Sequence, residues 1–302
     1  MDKLDSLQLF IRIVELESFT RAANALGIPR ATATLAVKEL EARLGARLLE
    51  RTTRQVRPTL DGRAFYDRCK RILGDLEEAE SALSMVAGNP RGTLRLDLHG
   101  SHATQIILPR ITEFHERYPE ITLTISSGDR LVDLVNEGID CVVRAGNPRD
   151  STLVVKRLAL MPEVVCASPA YLDRYGIPTS PDQIKDHQAV GFFASNQDVR
   201  YPFSFRVDGQ AVEYEPAGWI SVNDAALYRT CALNGCGLIQ VPRFGVETYL
   251  ATGQLVEVLG EWASPGLPVS VLYPYHRQLS PRVKVFVEWV AGLYTERFGP
   301  LI

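Results

Sequence analysis

The apolar spacing between Leu4 and Leu44 constrains the fold most, because it describes three short amphipathic helices joined by tight turns. Leu4, Leu7, Ile11 and Val14 recur every three or four residues, the stripe of a helix that buries one face. Ser18 offers a side-chain oxygen to the free N–H groups of a new first turn, so it predicts the cap of a second helix carrying Phe19, Ala22, Ala23 and Leu26 inward. Gly27 supplies the turn that ends it, and Pro29 fits the first turn of a third helix. Two such helices across a tight turn make a helix-turn-helix.

At about 100° per residue, the third helix places Ala33, Val37, Leu40 and Leu44 on a core stripe. Ala31, Leu35, Lys38 and Ala42 fall on the opposite side, where an outward leucine asks for a partner. Small and apolar side chains suit close approach to the DNA major groove, where Ala31 and Leu35 would touch thymine methyls. Arg30, Thr32 and Thr34 flank them with groups for base edges or phosphates. The competing reading packs Leu35 against another protein surface.

Arg47 to Arg51 and Gln55 to Pro58 then bracket Thr52, Thr53 and Arg54 as a small hairpin, or wing. From Arg43 to Arg71 nine Lys or Arg face three acidic residues, a local charge of +6 in a chain of −3. Beside a helix-turn-helix, such a cluster is where phosphates would be met. The expected DNA-contacting set is therefore Ser18, Thr20, Arg30, Ala31, Thr32, Thr34, Leu35, Lys38, Arg51, Thr52, Thr53 and Arg54, with double-stranded promoter or operator DNA as partner.

Thr59 can cap a long helix over about 61–86. Its Phe65, Cys69, Ile72, Leu76, Ala79, Leu83 and Val86 alternate spacings of four and three, a heptad seam that predicts a partner helix and a dimer. The alternative lays this helix on its own domain. Gly88-Asn89-Pro90-Arg91-Gly92 breaks it, so the chain divides into a DNA-binding domain over 1–60, a linker helix over 61–88, a hinge at 89–92 and a second domain over 93–302.

From Thr93 onward short apolar strands alternate with helices, an α/β pattern. Strands are expected over 94–98, 121–126, 140–144, 164–167, 189–193, 203–207, 219–222, 238–241 and 269–273, and helices over 103–117, 130–136, 169–174, 223–233, 245–251 and 281–297. Ligands of open α/β sheets sit beyond strand ends, where helix N-termini present free N–H groups. That placement nominates Gly100, Ser101, His102, Ser126, Ser127, Arg144, Phe193, Asn223 and Asp224 for a small-molecule ligand. Ser101, Asn223 and Asp224 read equally as helix caps, Arg144 as a structural ion pair and His102 as a surface histidine.

No signal peptide and no run of about eighteen apolar residues is present, which points to a cytoplasmic protein without membrane contact. The five cysteines form no zinc spacing, so neither a metal nor a cofactor is expected. Cys231 and Cys236 are conceivable disulfide partners, which keeps a redox-sensing regulator as an alternative. A hydrolase built on His99-Gly100-Ser101-His102 lacks a G-x-S-x-G elbow, a phosphate-binding Gly-rich loop and paired carboxylates, so no enzyme is expected.

Ser18-Phe19-Thr20-Arg21-Ala22-Ala23, Leu26-Gly27-Ile28-Pro29-Arg30, Leu40-Glu41-Ala42-Arg43-Leu44-Gly45, Leu48-Leu49-Glu50-Arg51-Thr52-Thr53-Arg54 and Thr59-Leu60-Asp61-Gly62 resemble, in order and spacing, the N-terminal domain of LysR-type transcriptional regulators. The recognition helix departs from the family pattern, with Pro29-Arg30 where a Ser-Gln pair often stands and Thr34-Leu35 where a Ser-Arg pair follows. Further on, Glu137-Gly138-Ile139-Asp140, Ala167-Ser168-Pro169-Ala170-Tyr171-Leu172, Val222-Asn223-Asp224 and Asn234-Gly235-Cys236-Gly237 resemble the family's effector domain. The resemblance implies a winged helix-turn-helix, a dimerising linker helix and a two-lobed α/β domain similar to periplasmic binding proteins. Lobe I would take 93–161 and 267–302, and lobe II 162–266. It also implies a bacterial regulator that forms dimers and tetramers, with RNA polymerase as a candidate partner.

Overall fold

The computed structural model describes residues 1–51, 56–84, 90–128, 134–147, 153–193, 200–262, 264–275 and 279–301. The chain forms two compact units, Met1–Gly88 with Asp133–Gly138, and Asn89–Val132 with Ile139–Ile302.

In the first unit α1 (Lys3–Leu16), α2 (Phe19–Ala25) and α3 (Arg30–Leu44) precede the paired strands β1 (Leu49–Arg51) and β2 (Val56–Pro58) and the long α4 (Leu60–Ser84). A reciprocal capping box starts α1, with the Asp2 carboxylate accepting the Asp5 N–H at 2.7 Å and Asp5 accepting that of Asp2 at 3.2 Å. The buried face of α1 is wider than the expected stripe. It takes in Leu9, Phe10 and Ile13, while Leu4 is exposed and Val14 half-buried. The reason is that α2, α3 and α4 all pack on this helix.

On α3, Ala33, Val37 and Leu40 are buried as expected, but Leu44 is 42 % exposed. It is the last helical residue, and the left-handed turn at Gly45 (φ 65°) follows at once. The Thr59 hydroxyl accepts the Gly62 N–H at 2.9 Å and donates to the Arg47 carbonyl at 2.7 Å, capping α4 and tying it to the wing. A Cβ on Gly62 would stand 1.9 Å from the Leu48 carbonyl oxygen, so only glycine allows this approach.

The expected seam on α4 requires a correction. Phe65 and Cys69 pack into the core of their own unit, Phe65 at 5.6 Å from the Phe10 ring, so the first half of the stripe already has a partner. One and two turns further on, Ile72 is 50 % and Leu76 37 % exposed. The side chains of Ala79 and Leu83, and Val86 entirely, lie outside the described residues.

The second unit starts with β3 (Gly92–Leu98), α5 (Gly100–His102), α6 (Ile111–Arg117) and β4 (Ile121–Ser127). After α7 (Leu134–Glu137) in the smaller segment of the first unit come β5 (Cys141–Ala145) and β6 (Leu153–Met161). Lobe II holds β7 (Glu163–Ala167), α8 (Pro169–Tyr175), β8 (Gly191–Phe192), β9 (Phe203–Val207), β10 (Gln210–Tyr214), β11 (Ser221–Val222), α9 (Ala225–Leu233), β12 (Ile239–Pro242), α10 (Glu247–Ala251) and β13 (Val256–Val258). The chain then returns to lobe I as β14 (Leu267–Pro274) and α11 (Pro281–Phe298).

The lobe I sheet has the order β4-β3-β5-β14-β6, in which β3 runs parallel to β4 and β5, and β14 antiparallel to both its neighbours. Leu94, Leu96 and Leu98 of β3 and Val271 of β14 pack with Phe286, Val290 and Tyr294 of α11. In lobe II the order is β12-β7-β13. Alternation along β7 sends Val164 and Cys166 into one core and Val165 and Ala167 into another, which is why this strand reads as continuously apolar.

Candidate functional site

Two regions gather the expected functional residues. On α3 the side chains of Arg30, Ala31, Thr32, Leu35, Lys38 and Ala42 are exposed, with Leu35 at 57 %, while the opposite side is core. Thr34 is half-buried and its hydroxyl donates to the Arg30 carbonyl at 3.0 Å, which leaves it only acceptor capacity. Thr20 is exposed on α2. Ser18 caps that helix by accepting the Arg21 N–H at 3.3 Å, so its oxygen has a structural task.

The wing is held by pairing of Leu49 with Pro58, Glu50 with Arg57 and Arg51 with Val56. Its tip, with Thr52, Thr53 and Arg54, and the side chain of Arg51 lie outside the described residues. Arg43, Arg47, Arg57, Arg63 and Arg68 are all exposed, which places the positive charge at the surface around α3, the wing and the start of α4.

The second region lies at the carboxyl ends of β3, β4 and β5. Leu98 pairs with Ser127 and with Val143, and the chain leaves β3 through His99 into α5. Ser101 is buried, and its hydroxyl lies 3.1 Å from His99 Nδ1. Gly100 is half-buried, and a Cβ there would come to 3.6 Å of the Ser127 hydroxyl.

Arg144 and Ser126 converge on one buried carboxylate that the sequence reading missed. The Arg144 guanidinium pairs with Asp97 and also donates to the Asp97 and Val143 carbonyls, at 3.2 and 3.1 Å. The Ser126 hydroxyl donates to Asp97 at 2.5 Å. Arg144 thus makes an ion pair with Asp97, one of the two roles its sequence position suggested.

His102 is a further correction. It is 1 % exposed, with Nδ1 at 2.7 Å from the Tyr294 hydroxyl and its ring 5.4 Å from that of Phe244. A side chain enclosed by α11 and lobe II belongs to the core and leaves the effector set; its burial pushes the imidazole well below its ordinary pKa.

From lobe II, the Asp224 carboxylate caps α9 by accepting the Ala226 and Leu227 N–H groups, each at 2.9 Å. Asn223 is half-buried beside it, and the Phe193 N–H donates to the Val222 carbonyl at 3.0 Å. The two lobes meet at His99. Its pKa is lowered to about 4, first by burial and then by the positive charges of Arg144 and Arg229, with Asp224 opposing them. Arg229, also missed in the sequence, has Nη1 buried without a hydrogen bond. Only the position of His99 two residues before Ser101, at the end of β3, could have signalled this cluster.

Among the described residues no group of three or more His, Cys, Asp or Glu is placed to hold a metal ion, and no helix is long and apolar enough to cross a membrane.

A winged helix-turn-helix followed by a two-lobed α/β domain is the architecture of a DNA-binding regulator with a second domain of substrate-binding type. Residues 4–63 match the bacterial regulatory helix-turn-helix proteins of the lysR family, and residues 87–294 match the LysR substrate binding domain. The chain belongs to the LysR family of transcriptional regulators. It is 39 % identical over 298 residues to the uncharacterised HTH-type transcriptional regulator YhjC of Escherichia coli strain K12, covering 98 % of this chain and 99 % of that protein. It is 36 % identical to an HTH-type transcriptional repressor of Pseudomonas aeruginosa, with 98 % and 93 % covered. The solved structure of CrgA, a LysR-type transcriptional regulator from Neisseria meningitidis, aligns at a TM-score of 0.59 and 30 % identity over 96 % of this chain and 98 % of that one.

Proposed function

We propose that this regulator reads promoter DNA with α3 and the wing, and that a small molecule seated where the lobes meet alters that binding through the geometry of a dimer or tetramer. The observation that carries the effector reading is His99, which feels Arg144 from lobe I and both Asp224 and Arg229 from lobe II. A ligand wedged there touches both lobes and so has different contacts in open and closed arrangements, which is what a shift of equilibrium requires. Gly100, Ser101, Ser127, Phe193, Asn223 and Asp224 are assigned to this ligand. Asp97, Ser126 and Arg144 hold the strand ends that present it.

On the DNA side, the exposed Leu35 and Ala31 support contact with thymine methyls, while Arg30, Thr32 and Lys38 reach base edges or phosphates. The test is to incubate the full-length protein with fragments of its source genome at moderate salt and footprint what it retains. A few sites with spaced, inverted half-sites are expected. Retention of all fragments alike, or of none, would overturn a sequence-specific regulator. Leu35→Arg should alter base preference at one position per half-site by about 1–3 kcal/mol. Equal folding with unchanged preference would remove Leu35 from the groove.

A further inference from the structure

The helix α9 ends in a Schellman motif. Gly235 takes φ 76°, its N–H donates to the Ala232 carbonyl at 3.0 Å, and the N–H of Cys236 donates to the Cys231 carbonyl at 3.0 Å. This bond folds the residue after the turn back onto the residue five before it, where the motif ordinarily makes an apolar side-chain contact. Here both positions are cysteine, and the two thiols share a hydrogen bond. Both are reduced and half-buried, whereas Cys69, Cys141 and Cys166 are buried in three separate cores.

We propose that Cys231 and Cys236 are a modification site, closing to a reversible intramolecular disulfide when the protein meets a hydroperoxide. One thiol loses its proton and attacks a peroxide oxygen. The S–O bond forms as the O–O bond breaks, and the departing alkoxide takes up a proton and leaves as the alcohol. The second sulfur then displaces the sulfenic hydroxyl, which leaves as water with the second thiol's proton. The sulfur pair loses two electrons and the peroxide gains them. Because the Schellman backbone already holds the two thiols in contact, closure requires no unfolding of α9.

Burial and the neighbouring Cys236 raise the Cys231 thiol pKa, so closure speeds up as pH rises. The bond would lock the C-terminal cap of α9, the helix whose Asp224 cap opens at the lobe junction. It stands independently of whether an effector binds there.

Trypsin cuts after Arg229 and Arg243, leaving both cysteines on one peptide. The fully reduced full-length protein is exposed to hydrogen peroxide, alkylated and digested without reductant. The peptide should then lack two hydrogens and both alkyl groups, and dithiothreitol should restore two alkylatable thiols. In Cys231→Ser or Cys236→Ser, checked for native circular dichroism, this species should vanish and the remaining sulfur should stop at sulfenic or higher acids. A peptide that keeps two alkylatable thiols, oxidises only to separate acids, or pairs with another cysteine or another chain overturns the proposal.

Discussion

The Glu41 carboxylate, one turn before the end of α3, accepts the N–H groups of Leu48 and Leu49 through a single oxygen, at 2.8 and 3.1 Å. Those residues lead into β1, so the helix proposed to enter the groove also fixes where the wing begins. Bonds to a charged acceptor are about twice as strong as neutral ones. Glu41→Ala should cost about 1–3 kcal/mol of stability and weaken DNA binding, because two part-buried donors lose their acceptor. Glu41→Gln keeps an acceptor and should retain most of both. Thermal unfolding and a DNA titration unchanged in Glu41→Ala would show that the wing is positioned by other means.

Glycines in α4 should respond in opposite directions. At Gly62 a Cβ meets the Leu48 carbonyl oxygen at 1.9 Å, and backbone cannot yield as a side chain would. Gly62→Ala should therefore push α4 away from the wing and lower stability by more than about 2 kcal/mol. At Gly74 nothing lies within 4 Å, so Gly74→Ala should add helix propensity worth about 0.5–1 kcal/mol. Equal unfolding midpoints for the two variants would contradict this close approach.

These local features show why some of the fold was legible in the sequence and some was not. Caps at Ser18, Thr59 and Asp224 and the core residues Ala33, Val37 and Leu40 follow from local rules, and they stand where those rules put them. β10 was missed although its signal was present. Asp208-Gly209 takes positive φ at both residues (52° and 81°), the turn that joins β9 to β10. β6 was missed because it lies at the edge of its sheet and its pairing with β14 shifts register between Val269 and Ser270, which breaks the alternation a strand is read by. Long-range partners were not legible at all. His102 meets Tyr294, and Arg144 meets Asp97, across separations that no periodicity encodes.

The stripe on α4 changes role along its length. Phe65 and Cys69 pack within their own unit, while Ile72 and Leu76 remain exposed, so a second copy of α4 is the expected cover only from Ile72 onward. Burying one such side chain is worth about 1.5–3 kcal/mol. Ile72→Glu or Leu76→Glu should therefore raise the dimer dissociation constant by about tenfold or more, with the monomer still folded. Cys69→Ser should instead lower the stability of the monomer unit. Sedimentation at several concentrations separates the two effects, and an unshifted dimer in both glutamate variants would place the self-association surface elsewhere.

His99 gives the protein a defined acid sensitivity. Burial, helped by Arg144 and Arg229 and opposed by Asp224, holds its pKa at about 4, against 6.5 in an unfolded chain. Above about pH 6.5 neither state binds the proton. As pH falls the unfolded chain takes it first, so the folded state loses stability until about pH 4, below which both states are protonated. At about 1.4 kcal/mol per pH unit, the loss by pH 5 is about 2 kcal/mol. His102, also lowered by burial, adds in the same direction. His99→Gln removes this one titration, so the stability difference between wild type and variant should shrink by about 2 kcal/mol between about pH 7.5 and pH 5. Denaturant unfolding of the full-length protein at the two pH values measures it. A difference independent of pH would mean that His99 already takes up its proton in the folded protein, and that the junction between the lobes is open to water there.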